Sequence, residues 1–248
     1  QPSVRLPVRF GAPLQSPSRA GGYSLETLGG GGRFSAVLVA KKRLAPGIIE
    51  VRLTRPAGFD FLPGQFMRIL MDGYQRSYTM VSTPDADTID FCIALVDQGR
   101  FSEHIRRAAV GETFRLSGPH GHFVYQGGLN PEIYVATGTG VAPFVAFCRS
   151  GVRRGTLVHG VPGPDGLIYR TLLQSHLPRY VPCLSRLPIH ARDPGKGFAG
   201  RVTRYLEEAL APGTYDFYLC GWQAMISDAV AIIDNRFDRS RLFIETYH

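Results

Sequence analysis

The feature that most constrains the fold of this chain is a change of rhythm near residue 127. Between residues 33 and 126, short β-branched or aromatic runs follow one another: "FSAVLVA", "IIEVRLT", "FMRIL", "YTMVS", "IDFCIALV" and "TFRLSG". Turn sequences such as "LAPG", "LPGQ" and "MDG" separate them. Six such runs in so short a span predict a six-stranded antiparallel β-barrel of Greek-key type. One segment, "FSEHIRRAA", has the spacing of a helix through Phe101, Ile105 and Ala108 or Ala109. From 127 to 248 strand and helix patterns alternate. "EIYVA", "TLVHG", "YVPCLS" and "YDFYLCG" each lead into a helical stretch, and "RLFIETY" follows the last. That alternation predicts a five-stranded parallel α/β domain covered on both faces. Ligands of such sheets bind at the carboxyl ends of the strands. Residues 1–32, rich in Pro, Gly and Arg and ending in "GGGG", are expected to form a tail or linker.

Composition narrows the class. With 44% hydrophobic and 19% charged residues, the chain fits a soluble globular protein. Its longest apolar runs, such as "VAPFVAFC", are too short to span a bilayer, and no secretory signal is expected. The formal charge of +8 comes mostly from arginine. It is read either as ordinary surface composition or as attraction to an acidic partner. No basic helix or aromatic–basic interleaving points to nucleic acid. The four cysteines form no C-x-x-C pair, so neither a cysteine-ligated metal site nor a disulfide framework is expected, and a reducing cytoplasm is the default.

Several short stretches carry chemistry, each with a plain structural reading beside it. In "RSYTMVSTP" (76–84), Arg76 offers a fork of donors, Tyr78 an aromatic face and Thr79 a hydroxyl. Such a set can grip a pyrophosphate and stack on a planar ring, or it is an ordinary strand with one surface arginine. In "DQGRFSEHI" (97–105) a helix N-terminus can attract phosphate, with Ser102 bonding an anion or capping the helix. "SGPHGHF" (117–123) reads as a turn at a barrel rim, since His120 and His122 have no third candidate ligand. "TGTG" (137–140) ends a strand and opens a helix, where backbone N–H groups can approach phosphate. Pro143 takes the place of the third glycine of a G-x-G-x-x-G loop and suits a first helical turn. In "LCGWQAM" (219–225), Cys220 lies at a strand's carboxyl end, either against a reacting ring or as plain core. Ser185 and Arg186 in "CLSRLP", with Arg201 nearby in "GRVT", could hold a phosphomonoester or simply face solvent.

Taken together and in order, "PGQFM" (63–67), "RSYT" (76–79), "GRFS" (99–102), "GPHGHF" (118–123), "GTGVAP" (138–143) and "CGWQAM" (220–225) resemble the landmarks of the ferredoxin–NADP⁺ reductase family, over residues 33–248. The resemblance implies FAD on the barrel, with Arg76, Ser77, Tyr78, Thr79, Arg100, Phe101, Ser102, Thr137 and Tyr247 as contacts. It implies NADP(H) held by Gly138, Thr139, Gly140, Val141, Ser185, Arg186, Arg201, Cys220, Gly221 and Asp228. Thr79, Cys220, Glu245 and Tyr247 are the implied catalytic group. Glu245 and Tyr247 match the glutamate and flavin-covering tyrosine that end plant-type members, although His248 follows here. In two further departures, "VPGP" replaces an arginine that some bacterial members carry after "LVHG", and Cys92 stands where some carry a tyrosine.

The implied activity is hydride transfer between NADP(H) and FAD, with single electrons passed to or from an acidic ferredoxin or flavodoxin. Two alternatives stand beside it: an NADH-dependent reductase component of an oxygenase, and a flavin electron-transfer subunit that does not itself oxidise nucleotide. No metal, nucleic-acid or membrane-insertion role is implied.

Overall fold

The computed structural model describes residues 32–187 and 197–247. Apart from Gly32, the expected tail lies outside the described residues, as does His248. The first six strands are β1 (Gly32–Ala45), β2 (Ile48–Thr54), β3 (Phe66–Met71), β4 (Tyr74–Thr79), β5 (Thr88–Ala94) and β6 (Thr113–His120). They pair antiparallel in the order β4-β3-β6-β1-β2-β5. The two edges then meet, through a bridge from Met80 to Phe91 and a bond from Val81 N–H to Asp90 O of 2.9 Å. Closure leaves few free strand edges. Leu38, Leu53, Met67, Ile69, Phe91 and Leu116 fill the interior, at roughly 2 kcal/mol each.

One strand differs from the sequence reading. The run expected at "YTMVS" begins earlier, because the two-residue turn Asp72–Gly73 folds β3 straight back and pairs Met71 with Tyr74. The short helix α1 (Arg100–Arg107) lies between β5 and β6, with Phe101 and Ile105 buried.

The second half is a parallel sheet of β7 (Glu132–Thr137), β8 (Thr156–Val161), β9 (Arg179–Leu184), β10 (Phe198–Ala199), β11 (Asp216–Trp222) and β12 (Arg241–Tyr247). The expected five strands are joined by a sixth, the two-residue β10, which pairs with the end of β9. Strand order is β10-β9-β8-β7-β11-β12, so the chain changes direction of growth between β7 and β11. The crevice outside the carboxyl ends at such a switch point is where α/β sheets bind ligands.

Among the described residues four helices cover the sheet: α2 (Ala142–Arg149), α3 (Arg170–His176), α4 (Val202–Glu208) and α5 (Gln223–Arg236). α4 and α5 share one core with the outer face of the sheet. α2 and α3 share another that also includes Ala45, Val81 and Cys92 of the barrel and Phe123 of the connection.

Polar contacts seal the same boundary. Arg149 donates to Val81 O at 2.8 Å, and Tyr169 Oη donates to Glu50 Oε2 at 2.7 Å. No helix among the described residues is long and apolar enough to cross a membrane.

Candidate active site

The barrel supplies one side of the site. β4 pairs with β3 so that Met67 faces Tyr78 and Phe66 faces Thr79. Tyr78 is half-buried, and its ring stacks on Phe101 of α1 with centroids 5.3 Å apart. Burial pushes its phenol well up. Arg76 and Arg100 are exposed, and both guanidinium groups lie over the ring of Tyr74, at 5.7 and 5.0 Å. One aromatic ring thus gathers two permanent cations, and Tyr74 and Arg100 also line an open cleft of about 450 Å³ with Gln98, Glu103, His104 and Glu112. That donor chemistry fits a pyrophosphate.

Tyr74 was absent from the sequence reading, since its signal is only an aromatic two residues before Arg76. Ser77 is exposed on the same strand. Ser102 neither caps α1, whose N-cap is Gly99, nor lies free: it is buried and accepts Val96 N–H at 2.8 Å.

The parallel sheet supplies the other side. Register places Ala136 beside Cys220 and Cys220 beside Glu245, so Thr137, Gly221 and Tyr247 follow at the carboxyl edge. The hydroxyls of Thr79 and Tyr247 lie 2.6 Å apart, across the boundary between the two halves. The Cys220 thiol lies close enough to Tyr247 for the two to influence each other's titration. Burial pushes both the phenol and the thiol well above their ordinary values. Glu245, desolvated between strand and barrel, is raised to about 7. Thr79, Cys220, Glu245 and Tyr247 therefore come together from three strands.

Thr137 Oγ1 is buried at the same seam without a hydrogen-bond partner. A Cβ on Gly221 would sit 2.2 Å from that oxygen, so only glycine fits there. A buried, unsatisfied hydroxyl costs stability unless something at the site pairs with it. This orphan, the paired arginines and the stacked Tyr78 make a donor set that suits a flavin nucleotide along the barrel and a second nucleotide along the sheet.

The loop after Thr137 is a single 3-10 turn over Gly138–Val141, running into α2 with Pro143 in its first turn. Gly138 has φ +52°, a left-handed conformation that glycine adopts without cost. His159 on β8 is fully buried beneath it, within 3.0 Å of the Gly138 carbonyl. The sequence reading missed His159, although a histidine inside the apolar strand "TLVHGV" is itself a signal.

Ser185 and Arg186 follow β9, exposed, in a turn tied to the "VPGP" loop by bonds to Val161 O and Pro162 O. Arg201 is exposed at the N-cap of α4, one residue after Gly200 bonds back to Leu184 O at 3.1 Å. β10 thus brings the three phosphate candidates to one edge. Asp228 stands exposed on α5.

Comparison with known proteins agrees with the two-part fold. A model of the oxidoreductase FAD-binding domain matches residues 35–125, and one of the oxidoreductase NAD-binding domain matches residues 134–231. Ferredoxin–NADP reductase B of Sorangium cellulosum is 32% identical over 219 residues, covering 78% of this chain and 88% of that protein. The 2-halobenzoate 1,2-dioxygenase electron transfer component of Burkholderia cepacia is 29% identical over 178 residues, covering 67% and 52%. The chain spans about half the length of that relative. A ferredoxin NADP⁺ reductase from Neisseria gonorrhoeae, solved with bound FAD and NADP, shares the fold at a TM-score of 0.74 and 23% identity, covering 86% of this chain and 98% of that one. The barrel, the switch-point crevice and the two matched domains define an FAD- and NAD(P)-binding oxidoreductase. The chain belongs to the ferredoxin–NADP⁺ reductase family.

Proposed function

We propose that this protein is a ferredoxin– or flavodoxin–NADP⁺ reductase. One NADPH gives up two electrons, reducing two equivalents of a one-electron carrier and leaving NADP⁺ and a proton. FAD, when bound, supplies the chemistry that accepts electrons in a pair and releases them singly. On this reading the barrel segment, 33–126, holds FAD and the segment 127–248 holds the nicotinamide nucleotide. Arg76 and Arg100 hold the flavin pyrophosphate, Tyr78 packs on the ring system and Thr79 stands at its reacting edge. Thr137, Cys220 and Gly221 border the nicotinamide. Glu245 holds a proton on its carboxyl near neutral pH, and Tyr247 covers the seam until the nicotinamide displaces it. Ser185, Arg186 and Arg201 select the 2′-phosphate.

The observation that carries the proposal is the Thr79–Tyr247 hydroxyl contact, which joins the barrel's "RSYT" strand to the carboxyl edge of the sheet, where Cys220 and the orphaned Thr137 hydroxyl also lie. The four buried, free cysteines suit a reducing cytoplasm, and the charge of +8 suits an acidic carrier.

An anaerobic absorbance titration of the yellow protein with NADPH tests the reading, and bleaching of the flavin band is expected. kcat/KM for NADPH is expected to exceed that for NADH by at least about tenfold, and Arg186→Leu to lower only the NADPH value. The names of several relatives, oxygenase electron transfer components among them, favour the second reading of an NADH-dependent oxygenase reductase. Equal use of the two nucleotides, or a preference for NADH, would select it.

A further inference from the structure

The nucleotide loop has a buried support that the family landmarks do not include. The side chain of His159 is wholly enclosed beneath the loop. Its Nε2 lies 3.0 Å from the carbonyl oxygen of Gly138, and its Nδ1 lies 2.9 Å from the hydroxyl of Tyr180 on β9. A carbonyl oxygen only accepts, so Nε2 carries the hydrogen. Nδ1 is then bare and accepts the phenolic hydrogen of Tyr180. Burial lowers the pKa of His159 to about 4, which keeps the ring neutral and in this one tautomer at any ordinary pH.

The geometry has a consequence on the far side of the same peptide plane. In a trans peptide the carbonyl of one residue and the N–H of the next point in opposite directions. Drawing the Gly138 carbonyl inward to His159 therefore points the Thr139 N–H the opposite way, away from the buried side of the loop. Gly138 is in the left-handed region, and a Cβ there would meet nothing within 4 Å. The 3-10 turn bonds this carbonyl from within the loop, and His159 adds a second, rigidly placed donor from below.

We propose that His159 and Tyr180 are a positioning pair that fixes the orientation of the Gly138–Thr139 peptide and so sets affinity for the pyrophosphate of the nicotinamide nucleotide. The inference rests on the proposed reading that this loop carries that nucleotide. Because the pyrophosphate is common to both dinucleotides, the pair acts equally on NADPH and NADH. The 2′-phosphate residues discriminate between them.

The test compares His159→Phe, His159→Gln and Tyr180→Phe in the flavin-loaded protein, using steady-state kinetics and calorimetric binding of NADP⁺ and NAD⁺. In His159→Phe the KM for NADPH and for NADH, and both dissociation constants, are expected to rise by the same factor of about ten, with kcat changed less than about twofold. A glutamine at 159 can still donate an amide hydrogen to the Gly138 carbonyl, so His159→Gln is expected to recover most of the loss. Tyr180→Phe, which leaves the ring in place but frees its tautomer, is expected to lose about threefold. An undiminished flavin spectrum and FAD content in each variant shows that it folds.

Unchanged affinities in His159→Phe, a loss confined to NADPH, or a loss in kcat alone would overturn the proposal. If the wild type binds the dinucleotides but is not reduced by them, the activity reading fails while the binding series still decides the role of His159. A wild type that binds neither overturns both.

Discussion

Glu245 is the residue on which pH acts most directly. Its folded value of about 7 lies above the ordinary 4.5, and desolvation is the cause. Its contribution to stability is therefore complete below pH 4.5 and is lost as pH rises through about 7. Glu245→Gln removes the titration. Between pH 5 and pH 8 the wild type is expected to lose on the order of 2 kcal/mol relative to this variant, after allowing for the partial exposure of the side chain. Denaturant midpoints of both proteins across that range provide the check, and parallel curves would assign the raised value to some other group.

Among elements, α1 shows how a site helix is held from behind. The ammonium of Lys41 on β1 donates to the carbonyls of Ile105, Arg106 and Ala108, at 3.0, 2.9 and 2.6 Å. It closes the carboxyl end of the helix that carries Arg100 at its start, and a cation there also complements the helix dipole. Lys41→Met keeps the length of the side chain and removes the donors. It is expected to cost about 1 kcal/mol of stability and to weaken FAD retention several-fold. Titration of the apoprotein with FAD measures the second effect, and unchanged affinity would confine Lys41 to a structural role.

The same scale shows what could be read in advance. Apolar periodicity and turn residues sufficed for a barrel followed by alternating strands and helices, because each strand buries one face or both. The two-residue β10 has too little sequence to leave a period. The early start of β4 depends on how tightly Asp72–Gly73 turns. Motif order placed Thr79, Cys220, Glu245 and Tyr247 in one site. Lys41 and His159 could not be placed that way, because each acts through a contact with an element elsewhere in the chain, and Tyr74 shows its role only when the fold brings Arg100 to the ring it shares with Arg76.

At the scale of the whole molecule the two halves share a core, and this predicts a single unfolding event. Phe147 of α2 packs in one cluster with Ala45, Val81 and Cys92. The near-ultraviolet dichroism of the fully buried Tyr134 and Tyr218 reports on the sheet, while release of flavin reports on the barrel. Both signals are expected to change at the same denaturant concentration. Tyr169→Phe, which removes a hydroxyl donor from Glu50, is expected to move both midpoints down together by about 1 to 2 kcal/mol. Separated midpoints would mean that the boundary does not couple the halves.

The shared core also bears on how such proteins can be recombined. A barrel taken from one relative and a nucleotide sheet from another would each fold around most of their own side chains. The boundary is different, because its packing is specified by residues from both sides: Val81 and Cys92 on one, Phe144 and Phe147 on the other. A functional chimera must therefore inherit this strip as a set, and a crossover placed in the connection between the halves will fail unless the strip is carried across with it.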